Sequence, residues 1–217
     1  MLSKVRKRMV ILGGAWALLL VLVTGIACAT LPTPSSSQSY AGTELQTPAP
    51  DFQLADQHGN IVALSDFQGK VVVLTFLDPN CTDVCPLTAQ HFRQARDTLG
   101  SDADKVVFMA VNVNPKAGSM KDLTAATEKW GMSQLSNWRF LSGDEAQLQK
   151  IWKEYNIFAG SVKFDKSFEV EHSPGVYIID RKGTERWYIS VPLEATSWDG
   201  PSLSDLLVTR TRLVLAK

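Results

Sequence analysis

Apolar residues are spaced in two ways along this chain. KVVVLTFL at 70–77 and KVVFMAVNV at 105–113 are runs without polar alternation, rich in β-branched residues. Such runs predict strands buried on both faces of a sheet. DFQLADQHGNIVALSDF, from Asp51, alternates on either side of DQHGN and predicts a β-hairpin. PLTAQHFRQARDTLG predicts a helix with Pro86 at its first position and Gly100 past its end. SMKDLTAATEKWG predicts a second helix ending at Gly131, NWRFLSG a short strand, and DEAQLQKIWKEYNI a third helix opened by Asp144. PGVYIIDRKGTERWYIS predicts two antiparallel strands about a turn at RKG. SLSDLLVTRTRLVLAK predicts a closing helix capped by Ser202 or Ser204.

Strands alternating with helices imply βαβ units with right-handed crossovers. The last two strands add antiparallel pairing, so the expected fold is α/β. It has a mixed central sheet flanked by helices and an N-terminal β-hairpin. A strand, a cysteine pair and then a helix is the order found in thioredoxin-like folds.

Before this domain the pattern changes twice. The uncharged 21-residue run MVILGGAWALLLVLVTGIACA, residues 9–29, follows the basic stretch KVRKR. A cleaved signal has an apolar region of roughly 7–15 residues and a spanning helix needs about 20, so residues 1–29 predict a membrane anchor or signal. The preceding positive charges predict a cytoplasmic N-terminus with the rest exported to the extracytoplasmic side. Cys28, in TGIAC, resembles a bacterial lipoprotein processing site and offers lipid anchoring as an alternative. Residues 30–50, TLPTPSSSQSYAGTELQTPAP, are rich in Pro, Ser and Thr and predict a flexible tether. The folded domain is therefore expected over 51–217.

The 217 residues hold equal numbers of acidic and basic side chains, but Lys4, Arg6, Lys7 and Arg8 precede the first acid, Glu44. Without those four, 18 basic residues stand against 22 acidic ones. Beyond that stretch, no cluster of Lys and Arg suggests a nucleic-acid surface.

Two of the three cysteines, Cys81 and Cys85, fall within five residues, CTDVC. Extended, they would be roughly 13 Å apart. One helix-like turn brings them within about 6 Å, so the segment must coil for the sulfurs to meet. A structural staple, a redox pair and a metal site all fit that geometry. The staple is weakest, because closing so short a loop stabilises little. Pro86 as the first helical residue puts Cys85 near the helix's positive end, where thiolate is favoured. Of the histidines, His58 falls in the hairpin turn and His91 on the helix after the cysteines. His172, in EVEHSPGVYIID, leads into an apolar strand. In a thioredoxin-like sheet that lead-in lies beside the cysteine turn, and Pro174 takes a place where such folds often carry a cis-proline.

CTDVCP followed, 87 residues after Cys85, by EHSPGVYIID resembles the Sco/SenC copper-chaperone family. The APDFQL opening and LSGDEAQLQKI agree with it. The resemblance implies copper, as Cu(I) or Cu(II), held by Cys81, Cys85 and His172, and Asp83 matches the acid between the family's cysteines. Two thiolates suit soft Cu(I), and imidazole also tolerates Cu(II). It implies loading, or thiol reduction, of the binuclear copper site of cytochrome c oxidase subunit II or another extracytoplasmic copper protein. The chain is then a metallochaperone more than an enzyme. Two departures stand out. Thr82 replaces the family's usual proline, and NVNPKAG puts Asn114 where an acid is usual. A thiol–disulfide oxidoreductase using Cys81 and Cys85 as its redox pair, without stable metal, is the competing reading. FLDPNC lacks the Thr or Ser setting of a peroxidatic cysteine.

Overall fold

The computed structural model describes residues 42–164, 167–190 and 200–217. The expected anchor, residues 1–29, and Cys28 lie outside them. Among the described residues no helix is long and apolar enough to cross a membrane.

The strands are β1 (Thr43–Pro48), β2 (Gln53–Asp56), β3 (Ile61–Ala63), β4 (Val71–Leu77), β5 (Val106–Asn112), β6 (Trp138–Ser142), β7 (Ala159–Phe164), β8 (Ser167–His172), β9 (Val176–Ile179) and β10 (Thr184–Ile189). The helices are α1 (Val84–Leu99), α2 (Met120–Lys129), α3 (Glu145–Glu154) and α4 (Leu203–Leu215). Eight strands make one sheet in the order β1-β10-β9-β4-β5-β6-β2-β3, and β7 pairs with β8 in a separate hairpin. β4, β5 and β6 are parallel. β9 and β2 join antiparallel on either side of them, giving the expected mixed, thioredoxin-like sheet.

Val71–Leu77 and Val106–Asn112 are buried at every position because β4 and β5 are central. Successive side chains leave opposite faces of a strand. Val71, Val73 and Leu77 therefore pack with Phe92 of α1, Leu123 of α2 and Leu207 of α4. Val72, Leu74 and Phe76 pack on the other face with Leu148 and Ile151 of α3. Each such side chain contributes about 1.5–3 kcal/mol by leaving water. The helices start where capping chemistry directs. Ser119, Asp144 and Ser202 each cap a helix with an acid or Gln at the third position returning a hydrogen bond.

Two elements depart from expectation. Thr43–Pro48 falls within the stretch read as tether but forms an edge strand antiparallel to β10. Its side chains are mostly exposed, so it carries little apolar signal. The β7–β8 hairpin was not expected either. SVKF and SFEVE alternate in the sequence, a pattern that identifies a hairpin.

Register brings three segments to one end of the sheet. Leu77 pairs with Asn112 at the ends of β4 and β5. Thr75 pairs with Val176, the first residue of antiparallel β9. The loop leaving β4, the loop leaving β5 and the loop entering β9 therefore converge there.

Candidate metal and thiol site

The loop leaving β4 coils at once. Asp78 O accepts from Cys81 N–H at 3.1 Å, and Asp78 Oδ1 accepts from Asn80 N–H at 2.9 Å. This is the local turn that Asp side chains favour. Helix α1 opens at Val84, whose N–H donates to the Asp83 carboxylate at 2.7 Å. Pro86 is therefore the third residue of α1, not the first. The first-turn N–H groups of a helix have no partner within it, so proline removes nothing at that position.

That shift reverses the expected chemistry of the two sulfurs. Cys85 is the second residue of the helix and fully buried. Its N–H donates to Cys81 Sγ at 3.3 Å, so the electropositive helix end serves Cys81. The hydrogen bond that Cys81 accepts from the Cys85 side chain holds its thiol below the usual range, against the effect of burial. The same contact, followed by burial, pushes the Cys85 thiol far up. Thiolate is thus favoured at Cys81, not at Cys85. Cys81 Sγ, as a thiol, also lies 3.0 Å from Asp83 Oδ1. Both cysteines are free.

His172 closes β8, opposite Ala159 of β7. Its Nε2 is 3.8 Å from Cys85 Sγ. Its Nδ1 is 3.2 Å from Ser173 O, which orients the ring with Nδ1–H toward the carbonyl and the Nε2 lone pair toward the sulfur. Burial lowers the His172 pKa and favours the neutral imidazole. The Ser173–Pro174 bond is trans, because no peptide among the described residues is cis. Gly175 follows, where a Cβ would stand 2.5 Å from the Tyr188 ring. Gly175 O accepts from Thr75 Oγ1 at 3.0 Å, fixing the lead-in to β9 over β4.

Cys81, Cys85 and His172 line one groove of about 630 Å³, together with Asp78, Asp83 and Asn114. The other histidines are elsewhere. His58 lies in the β2–β3 turn, where its N–H donates to Asp56. His91 Nδ1 lies 3.4 Å from Ser204 Oγ of α4. No three His, Cys, Asp or Glu side chains among the described residues already form a tight metal cage. The donor types nevertheless fit a soft or borderline ion. With bonds of about 2.3 Å to sulfur and 2.0 Å to nitrogen, as for zinc, donors at the spacing of Cys85 and His172 can share one ion.

Asn114, from the loop after β5, also lines the groove, and Asp78 was not among the expected site residues. Asn114 Nδ2 donates to Asp78 Oδ1 at 3.1 Å. A buried acid directly after an apolar strand was the available signal.

The SCO1/SenC family model matches residues 41–196, which include both cysteines and His172. This chain belongs to the SCO1/SenC family. Among relatives of this Sco protein, the SCO2-like protein RP587 of Rickettsia prowazekii is 23% identical over 135 residues, covering 61% of this chain and 64% of that protein. The mitochondrial SCO2 homolog of Bos taurus is 27% identical over 146 residues, covering 64% and 53%. The match thus spans less than two thirds of either relative. Bradyrhizobium japonicum ScoI, solved with copper bound, superposes with a TM-score of 0.63 at 24% identity, over 77% of this chain and 99% of that one. At that identity the likeness establishes the thioredoxin-like fold.

Proposed function

We propose that this Sco protein is a membrane-tethered, extracytoplasmic copper carrier. It delivers copper to the binuclear site of cytochrome c oxidase subunit II, or reduces the cysteines of that site, with Cys81, Cys85 and His172 as the copper ligands. The carrying observation is the approach of His172 Nε2 to within 3.8 Å of Cys85 Sγ, in the turn where Cys85 N–H meets Cys81 Sγ. These donors come from segments 87 residues apart and face one groove. Two sulfurs suit Cu(I), and the neutral imidazole adds the donor that Cu(II) requires. Copper titration of the protein with and without His172 tests this. His172→Ala should weaken Cu(II) binding most, fading or shifting the sulfur-to-copper absorption, while Cu(I) binding largely persists. Cys81→Ser or Cys85→Ser should abolish tight binding of both. Identical Cu(II) spectra with and without His172 would remove it from the ligand set.

The asymmetry of the cysteines supports a second reading, thiol–disulfide exchange. Cys81 has thiolate favoured and is partly exposed, while Cys85 is a buried thiol. That is the arrangement of an attacking and a resolving thiol. Cys81 would attack a partner disulfide and expel one thiolate. Cys85 would then displace the second, leaving the partner reduced and a Cys81–Cys85 disulfide behind. His172→Ala would leave this activity nearly unchanged, and no stoichiometric copper complex would form.

A further inference from the structure

Asp78 is the carboxylate set deepest in the groove, with only 6% of its surface exposed. Two loops aim it. Asn80 N–H and Asn114 Nδ2 both donate to its Oδ1, at 2.9 and 3.1 Å. Asn114 is itself fixed. Its N–H donates to Asn112 Oδ1 at 2.8 Å, and its Oδ1 accepts from Lys116 N–H at 3.2 Å. Fully buried Asn112 returns Nδ2 to Asn114 O at 2.8 Å and to Ser142 Oγ at 3.1 Å. An amide is needed at 114, because a carboxylate there would meet Asp78 oxygen to oxygen. The replacement of the expected acid by Asn114 is thus matched by an acid at 78, and the network fixes the Asp78 carboxylate in the groove that both sulfurs line. Among the described residues, the other charged or titratable groups lining the groove are Cys81 and Cys85, Asp83 next to Cys81, exposed Glu171 on β8, and His172.

We infer that Asp78 is a specificity-determining residue that biases the groove toward cationic ligands and, for a copper cargo, toward Cu(II) over Cu(I). A carboxylate in a partly desolvated groove acts through a lower effective dielectric than water. Its attraction for a divalent ion is twice that for a monovalent one at equal distance. The Cu(II) preference rests on the copper reading above; the bias against anions does not.

The experiment compares full-length wild type with Asp78→Asn and with Asp78→Ser, so that either variant that folds decides. Without metal, the groove thiols are alkylated with anionic iodoacetate and with neutral iodoacetamide. Both reagents consume the same thiolate, so a change in thiolate fraction cancels in the ratio of their rates. Loss of Asp78 should raise the iodoacetate-to-iodoacetamide ratio about three- to tenfold. Exposed Asp104→Asn, at the other end of β5, should leave it unchanged. In copper titrations, Cu(II) affinity should fall about tenfold more than Cu(I) affinity. An unchanged reagent ratio in a folded variant overturns the inference and leaves Asp78 as a loop brace. A raised ratio with equal losses for both copper states overturns only the valence preference. A raised ratio in a protein that binds no copper sinks the copper reading while the cation bias stands.

Discussion

Cys81 and Cys85 share one turn, yet the contact between their side chains drives their thiols in opposite directions, with burial adding to the rise at Cys85. At neutral pH, iodoacetamide should label Cys81 at least about tenfold faster than Cys85, as read by peptide mass spectrometry, because the thiolate is the nucleophile. Equal labelling would remove the asymmetry on which the exchange reading depends. Asp56 shows the same kind of local control away from the site. Burial raises its pKa, but hydrogen bonds from the Asn60 side chain and from the N–H groups of Asn60 and His58 outweigh burial and leave it lowered. A lowered folded pKa stabilises above the unfolded value of about 3.9, and that stability is lost as pH falls through the folded value. Wild type should therefore lose its advantage over Asp56→Asn as pH drops below about 4. Asp56→Ala should cost about 1–3 kcal/mol at neutral pH in chemical denaturation, since three turn donors lose their acceptor.

At the scale of elements, the edge strand β1 has the clearest measurable consequence. Thr47 Oγ1 donates to the buried Glu185 carboxylate at 2.7 Å, across the β1–β10 pairing. Burial pushes the Glu185 carboxyl up, and Thr47 is the donor that opposes this. A chain starting at residue 51 should be less stable than one starting at 42 by about 1–3 kcal/mol, because the ladder and this donor are both lost. For a domain of this size that is about 2–4 °C in Tm per kcal/mol. The shorter chain should also self-associate through the bared β10 edge, visible in light scattering. Equal melting curves would show that β1 contributes nothing to the domain. The β7–β8 hairpin matters differently, since it carries His172 at its last residue and so links the third proposed donor to a small sheet outside the main one.

At the scale of the whole molecule, register gathers the chemistry at one end of the sheet. β1 begins there too, with Thr43 opposite Tyr188, one residue before groove-lining Ile189. The proposed tether would therefore join the domain at the end that bears the cysteines. Fractionation tests the anchoring. The full chain should sediment with membranes, and a chain lacking residues 1–29 should remain soluble and folded. A full chain recovered wholly in the soluble fraction would refute an uncleaved anchor. A lipid on Cys28 by mass spectrometry would select the lipoprotein form.

The sequence alone determined what is written in local pattern. The apolar runs gave the central strands because two buried faces demand continuous apolar residues. Asp144 marked one helix start and Ser202 or Ser204 another, because caps are local hydrogen bonds; the structure selects Ser202. CTDVCP with EHSPGVYIID carried the Sco family and pointed to the three residues proposed as donors, since that spacing is a motif. Tertiary structure decided what depends on contacts across the chain. β1 forms because β10 offers an edge, although its own residues stay exposed. The helix end falls to Cys81 because α1 starts at Val84, two residues before the proline that signalled it. Asp78 enters the groove because parallel β4 and β5 end side by side, bringing Asn114 within hydrogen-bonding reach from 36 residues away. No spacing along one segment encodes that pairing, because it arises only when the two loops share an end of the sheet.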